Sequence, residues 1–404
     1  MPKKLVITCL INFLIAAIMG LVLRYTHINP MRFNYRFLTH AHSHIAMLGW
    51  VYLMLFTLIV HYFVPERKAI YSRLFWVTEF TVVGMMISFP LQGYAAVSIS
   101  FSTLHIFCSY YFVYLIWKHQ KTDSLVTRYL LKASLLFMLL STVGVWCLGP
   151  AVSMLGQASA FYQIAIQFFL HFQFNGWFLL AVFAILFHVL KIQNSKEFKY
   201  FFRLLIGSTI LTLALPVQWF VNHNALLYIN GVGVFLQIMM LFFFLKLIIP
   251  KLRAIFIKQS KLINFTLGFA MFCFVLKTVL SLLSLFPEFS TVVYQHRNFI
   301  IGFIHLVMLG VISGFLFTYI LQSQLITFNS TLNVGIITFI LGFIFTELIL
   351  GIQGALFYFG KGLLPNYYPL LFLSSLLLPI GLVFILINII RTKRDVDLSF
   401  LRRQ

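Results

Sequence analysis

The chain has 404 residues, 61% of them hydrophobic and only 9% charged, with a mean hydropathy of +0.99, which excludes a soluble globular domain, where about a quarter of residues are charged. The 29 Lys and Arg against 8 Asp and Glu give a net charge of +21 and raise the question of a nucleic-acid partner. However, these charges fall in short gaps between apolar stretches of about 20 residues, the length that crosses roughly 30 Å of hydrocarbon, so lipid is the predicted partner.

In chain order the predicted spans are 5–23, 44–64, 74–91, 101–117, 130–148, 161–190, 202–221, 226–249, 262–286, 298–321, 332–358 and 367–390. Backbone in lipid must satisfy its own polar groups, so these are helices, and the fold class is all-α: a polytopic membrane bundle of about twelve transmembrane helices. The first stretch reaches Arg24 without a small-residue cleavage site and reads as the first helix rather than a cleaved signal. No Pro/Gly/Ser linker interrupts the alternation, so residues 1–404 form one predicted domain. Cys9, Cys108, Cys147 and Cys273 lie singly within spans, which supports neither a disulfide framework nor covalent haem attachment.

The basic residues alternate by loop. Lys3 and Lys4, then Arg67, Lys68 and Arg73, Lys118 to Lys132, Lys191 to Arg203, Lys246 to Lys261, and the tail from Arg391 to Arg403 share one side. Only Arg24, Arg32, Arg36, Arg297 and Lys361 occupy the other. Glu66, Asp123, Glu197, Asp395 and Asp397 accompany the crowded side. By the positive-inside rule that side, with both termini, is predicted to face the cytoplasm, in a bacterial-type cytoplasmic membrane.

A weak internal repeat runs through the spans. His44-Ile-Ala-Met-Leu-Gly49-Trp50 opens the second, His171-Phe-Gln-Phe-Asn-Gly176-Trp177 lies in the sixth, and His305-Leu-Val-Met-Leu-Gly310-Val311 lies in the tenth. Glycine makes up 22 of 404 residues, so twelve histidines are expected to give fewer than one His with Gly five positions later, yet three occur. They stand 127 and 134 residues apart, about four spans each, which predicts three pseudo-repeated four-helix units with histidines at matched depth. Gly at this spacing also suits close helix packing, with the histidines satisfied by interhelical hydrogen bonds.

A bis-imidazole haem needs two histidines from different helices aimed at opposite faces of one iron, and neutral imidazole supplies them without burying charge. His305 and one member of the cluster His40-Ala-His42-Ser-His44 form the natural pair. On a helix His40 and His44 share a face while His42 points about 200° away, so His42 and His44 are alternatives. The spare histidines line the membrane surface, bind a metal ion or, for His40, are simply solvated. Arg36 and Arg297, just before the second and tenth spans, suit outward-pointing haem propionates, or serve as interfacial anchors. Trp50 and Trp177 are placed to flank a macrocycle or to pack.

Twelve spans with histidines near the outer ends of the second and tenth resemble subunit I of the haem-copper oxidase superfamily, particularly C-type cytochrome c oxidases and bacterial nitric oxide reductases. The stretch Gly302-Phe303-Ile304-His305-Leu306-Val307-Met308-Leu309-Gly310 is similar to the family's G-H-x-H-x-x-x-L-G. The resemblance implies a low-spin haem b ligated from the second span and by His305. It implies a copper or non-haem iron held by His171 and by His223 in Trp219-Phe-Val-Asn222-His223-Asn224. It also implies electrons from a quinol or a cytochrome partner subunit. The departures are as informative. Phe303 stands where the high-spin haem ligand belongs, Asn222 replaces one histidine of the seventh-span pair, and Asn175 stands at the tyrosine position of many A-type oxidases. The expectation is therefore a divergent member with an incomplete binuclear site, working in respiratory electron transfer or the handling of oxygen or nitric oxide.

Glu79, Lys277 and Glu347 lie within spans, where each costs roughly 2.5–3.5 kcal/mol unless paired or facing water. They are read either as a proton path or as a Lys277–carboxylate pair, with snorkelling of Lys277 as a third option. Two other classes remain open: a non-catalytic protein that senses or handles haem, copper or nitric oxide, and a secondary transporter, against which stands the lack of a two-fold repeat.

Overall fold

The computed structural model describes residues 1–66, 68–256 and 259–392. Arg67, Lys258 and the basic tail beyond Thr392 therefore lie outside the described residues, as does the side chain of Arg253. Among the described residues, twelve helices are long and apolar enough to cross a membrane: α1 Lys3–Tyr25, α2 Tyr35–Phe63, α3 Ala69–Gln92, α4 Ala96–His119, α5 Leu125–Leu155, α6 Ala160–Val189, α7 Lys196–Gln218, α8 Asn224–Leu252, α9 Lys261–Leu285, α10 Arg297–Leu321, α11 Ser330–Tyr358 and α12 Tyr367–Arg391. A short amphipathic helix, Pro287–Gln295, connects α9 to α10. The chain is an all-α polytopic membrane bundle.

Capping residues set the helix starts. Ser124, Ser159, Ser195, Ser260 and Asn329 each accept a backbone N–H at the head of α5, α6, α7, α9 and α11. Asn34 does the same for α2, accepting from the amides of Arg36 and Phe37 at 3.0 and 3.2 Å. This corrects the expected second span, because α2 begins nine residues earlier than 44. Hydropathy does not register the polar turns from Tyr35 to His44, whereas the cap does, so the whole histidine cluster lies within the helix.

Three helices, α2, α6 and α10, form the centre. The Trp50 indole donates to the Ser313 hydroxyl at 2.8 Å, joining α2 to α10. The Tyr319 hydroxyl donates to the Val182 carbonyl at 3.0 Å, joining α10 to α6. The Tyr52 ring stands edge-on to Trp177 at 6.2 Å, joining α2 to α6.

Each central helix widens into π-helical turns directly after its repeat histidine: Ile45–Tyr52 after His44, Phe172–Phe178 after His171, and Leu306–Ile312 after His305. Such turns account for well under 1% of residues in proteins, so three at equivalent positions make the repeat a structural one. The repeat glycines admit neighbours at close range. A Cβ on Gly49 would come within 2.9 Å of Val82 in α3 and 3.0 Å of Asn12 in α1; on Gly176, within 2.7 Å of Phe137 in α5; on Gly310, within 2.8 Å of Cys273 in α9. In each unit the first helix lies against the central one at this glycine. Close helix packing at the glycines, the alternative reading of the motif, is thus observed.

Lys3 donates to the carbonyls of Ile390 and Thr392 at 3.0 and 2.7 Å, so α1 and α12 meet at the basic end. The same end carries loop ion pairs, Lys121–Glu66 at 3.1 Å and Lys246–Glu197 at 3.2 Å.

Candidate functional site: two histidine clefts

The alternation within the histidine cluster sends its members into two different clefts. His42 faces α1, where its Nδ1 lies 2.8 Å from the Ala16 carbonyl oxygen. A carbonyl only accepts, so Nδ1 carries the proton and Nε2 keeps its lone pair. Gly20 makes room for the ring, since a Cβ there would meet His42 Cε1 at 2.8 Å.

His42 and His305 are electrostatic neighbours, and Arg24 acts on both. They start at similar depths, seven and eight residues into α2 and α10, or about 10–12 Å from the outer helix ends. His305 Nδ1 lies 3.5 Å from Glu347 Oε1 of α11. Neither of those two atoms has a hydrogen-bond partner. Gly302 leaves space on the same side, where a Cβ would stand 3.2 Å from Glu347 Oε2. Arg24 donates to the Ser375 hydroxyl of α12. The cleft thus gathers two imidazoles, a carboxyl group, a guanidinium and a serine hydroxyl from α1, α2, α10, α11 and α12.

Arg36 and Arg297 are both exposed at the outer end. Arg297 acts on Tyr35 together with Arg24, while Arg36 acts on His40 and Tyr94. Of the two expected anion partners, Arg297 therefore adjoins the His42–His305 cleft and Arg36 adjoins the other. Sequence reading assigned Arg24 to an outer loop and missed its place here.

The second cleft lies between α2, α3 and α4. The His44 ring centroid is 4.4 Å from that of Phe89 and 5.9 Å from that of Tyr94. Its Nδ1 donates to the His40 carbonyl at 2.8 Å, and the Tyr94 hydroxyl approaches Nε2 at 3.4 Å. His44 acts electrostatically on His105 of α4, a residue that the sequence reading did not single out. His105 is 3% exposed and stands edge-on to Tyr52 at 4.8 Å. The histidine–glycine motif gives no signal for it, because His105 lies outside the repeat.

The third repeat histidine, His171, donates from Nε2 to the Thr209 carbonyl of α7 at 2.7 Å and has Lys277 as an electrostatic neighbour. His223 sits exposed in the loop before α8, where its Nδ1 accepts the Ala225 amide at 3.2 Å. The structure gives the two expected metal ligands separate partners, and Asn222 beside His223 is exposed as well. Among the described residues no group of three or more His, Cys, Asp or Glu could hold a metal ion. Phe303 is 37% exposed on the outer turns of α10.

Lys277 is 4% exposed and forms no ion pair with a described carboxylate, so of the alternatives the sequence leaves open the Lys277–carboxylate pair is not found. The two acids are engaged elsewhere. Asn12 donates to Glu79 at 2.8 Å and to the Gly49 carbonyl at 3.2 Å, and Glu347 faces His305. Trp50 stacks on Phe13 at 4.6 Å within the core, so its ring is a packing element. A cavity of about 730 Å³ opens at the basic end beside Lys3, Thr57, His61 and Trp76 and does not include either histidine cleft.

Comparison with protein-family models and with curated proteins finds no match for this chain.

Proposed function

We propose that this protein binds haem b between α2 and α10, where His42 and His305 would hold it, and serves respiratory electron transfer or the handling of oxygen or nitric oxide. The observation that carries the reading is the convergence of His42 and His305 in one cleft, with the Nδ1 of His42 engaged by Ala16 and that of His305 facing Glu347. A metal-bound imidazole commonly gives its other nitrogen to a carbonyl or carboxylate, and both rings have such a neighbour. Bound haem iron supplies one-electron transfer between ferrous and ferric states. The chain's own residues hold it: Ala16 fixes the His42 ring, Glu347 orients His305, and Arg24 and Arg297 supply positive charge towards the outer end. By charge placement the basic end faces the cytoplasm, and electrons come from a quinol or a cytochrome partner subunit.

Within this reading a non-catalytic haem or nitric oxide handling role is favoured over an oxidase, because Phe303 offers no second iron ligand and His171 and His223 have separate partners. A reduced-minus-oxidised spectrum of purified protein tests the proposal. A sharp low-spin b-type band is expected, lost in His42→Ala and in His305→Ala and kept in His44→Ala. Absence of haem in the wild type would leave a membrane bundle of transporter type. Turnover of oxygen or nitric oxide by the haem-loaded protein would overturn the non-catalytic assignment alone.

A further inference from the structure

The cavity at the basic end has no part in the haem reading. Its volume of about 730 Å³ is that of a ligand site. Residues of α1, α2 and α3 wall it, and Ile390 of α12 borders it. From Lys3 at the head of α1 and Lys68 just before α3 it runs inward to Phe56 of α2 and Trp76 of α3. Those two rings stand seven residues from the basic ends of their helices, so the cavity reaches about 10 Å into the bundle. Ile390 and Trp76 are 53% and 45% exposed within apolar spans, so it opens sideways onto lipid.

Its two ends differ in chemistry. The deep part is apolar, lined by Ile7, Phe56 and Val60, and the buried hydroxyls on its wall are already engaged. Thr57 donates to the Leu53 carbonyl at 2.8 Å and Tyr71 to the Leu115 carbonyl at 3.1 Å. The mouth is cationic, with Lys3, Lys4 and Lys68 around it. Lys3 donates only to neutral partners, the carbonyls of Ile390 and Thr392, which leaves its charge uncompensated. Glu66 is shared between Lys68, at 3.6 Å, and Lys121, at 3.1 Å, so one carboxylate serves two ammonium groups. The heads of α1 and α3 reinforce the sign of the field. Neither has a side-chain cap, whereas Ser124, Ser195, Ser260 and Asn329 cap α5, α7, α9 and α11 at the same end.

The ligand that matches both ends carries an anion and a hydrocarbon chain. A free anion leaves the apolar depth unfilled, and a neutral amphiphile leaves the lysines without a counter-charge. We propose that this cavity is a site for one anionic phospholipid, with its phosphate among Lys3, Lys4 and Lys68 and the upper part of one acyl chain along Phe56, Val60 and Trp76.

The test is a titration of delipidated, purified full chain in detergent with phosphatidylglycerol, or with phosphatidylcholine of the same acyl chains, bound lipid being read by native mass spectrometry. The wild type is expected to hold one phosphatidylglycerol at least 10-fold more tightly than phosphatidylcholine, and inorganic phosphate is expected not to displace it. Lys4→Gln combined with Lys68→Gln, both at exposed positions, is expected to erase that preference. Val60→Trp keeps every charge and fills the deep part, and is expected to weaken phosphatidylglycerol binding at least 10-fold. Lys196→Gln combined with Lys199→Gln removes two exposed charges from the same end outside the cavity and is expected to keep the wild-type preference. Equal binding of the two lipids by the wild type, an unchanged preference in the Lys4 and Lys68 variant, undiminished binding in Val60→Trp, or displacement by inorganic phosphate would each overturn the proposal. So would loss of the preference in the Lys196 and Lys199 variant, which would make it a property of the whole basic face.

Discussion

His42 Nδ1 lies 2.8 Å from the carbonyl oxygen of Ala16, and Gly20, one turn along α1, supplies the space in which the ring sits. Gly20→Ala places a Cβ 2.8 Å from His42 Cε1, so the ring must swing and the bond to Ala16 is lost. The expected result is lower haem occupancy and a loss of about 1 kcal/mol. Gly268→Ala, where a Cβ would meet nothing within 4 Å, is the control and is expected to keep both. Haem absorbance per protein, together with thermal unfolding, reads the pair.

Glu347 stands 3.5 Å from His305 Nδ1 and is argued to orient that ring. A carboxylate beside a ligating imidazole makes it a more basic ligand, which favours ferric over ferrous iron. Glu347→Gln keeps the bulk and removes the acidic group that faces His305 Nδ1. A redox titration is expected to show the haem potential raised with the low-spin band intact; an unchanged potential would remove Glu347 from this role.

Ser313 links two central helices, accepting from Trp50 Nε1 and donating to the Met308 carbonyl, both at 2.8 Å. Ser313→Ala leaves a wholly buried indole N–H without an acceptor. A destabilisation of about 1 kcal/mol is expected, in line with interhelical hydrogen bonds in bilayers. A double-mutant cycle with Trp50→Phe should return most of it as coupling.

The α11–α12 crossing is closest at two glycines. A Cβ on Gly381 would stand 2.7 Å from the Gly335 carbonyl oxygen, and one on Gly335 would stand 3.0 Å from that of Gly381. Backbone cannot swing aside as a side chain does. Gly381→Ala is expected to cost about 1–3 kcal/mol through overpacking, and Gly351→Ala, in open space on α11, to cost nothing measurable by thermal unfolding.

At the basic end Lys121, by hydrogen bond and charge, holds the Glu66 carboxyl below its usual range. A depressed folded pKa means that the tie is fully present above the unfolded carboxylate pKa and fades as pH falls through the folded value. The group is fully exposed, so the effect is a slight one. Glu66→Gln is expected to flatten that small acid-side slope in an unfolding series across the carboxylate range.

The apolar runs and the one-sided placement of Lys and Arg made the twelve helices legible, because bilayer thickness imposes a length that hydropathy reports directly. The recurrence of His44, His171 and His305 with their glycines also disclosed the three units. What the sequence hid is governed by tertiary contact. The π-helical turns follow the repeat histidines, but hydropathy and spacing do not distinguish a 3.6-residue turn from a wider one. Arg24 meets Ser375 across 351 residues of chain, and nothing near Arg24 announces that partner. His105 stands alone in a span of ordinary composition, and only the placement of α4 against α2 brings it to Tyr52. The outward start of α2 was missed because a capping asparagine, not hydrophobicity, sets it.

The meeting of α1 with α12 carries a consequence for biogenesis. Arg24 comes from α1, whereas Glu347 and Ser375 belong to α11 and α12, which are made about 320 to 350 residues later in the chain. During synthesis His42 and its neighbours must wait, half-walled, until the α11–α12 hairpin has left the insertion machinery and docked. Any group held there is therefore loaded late, onto an assembled scaffold, and truncation after α10 should yield an inserted protein that can never be charged with it.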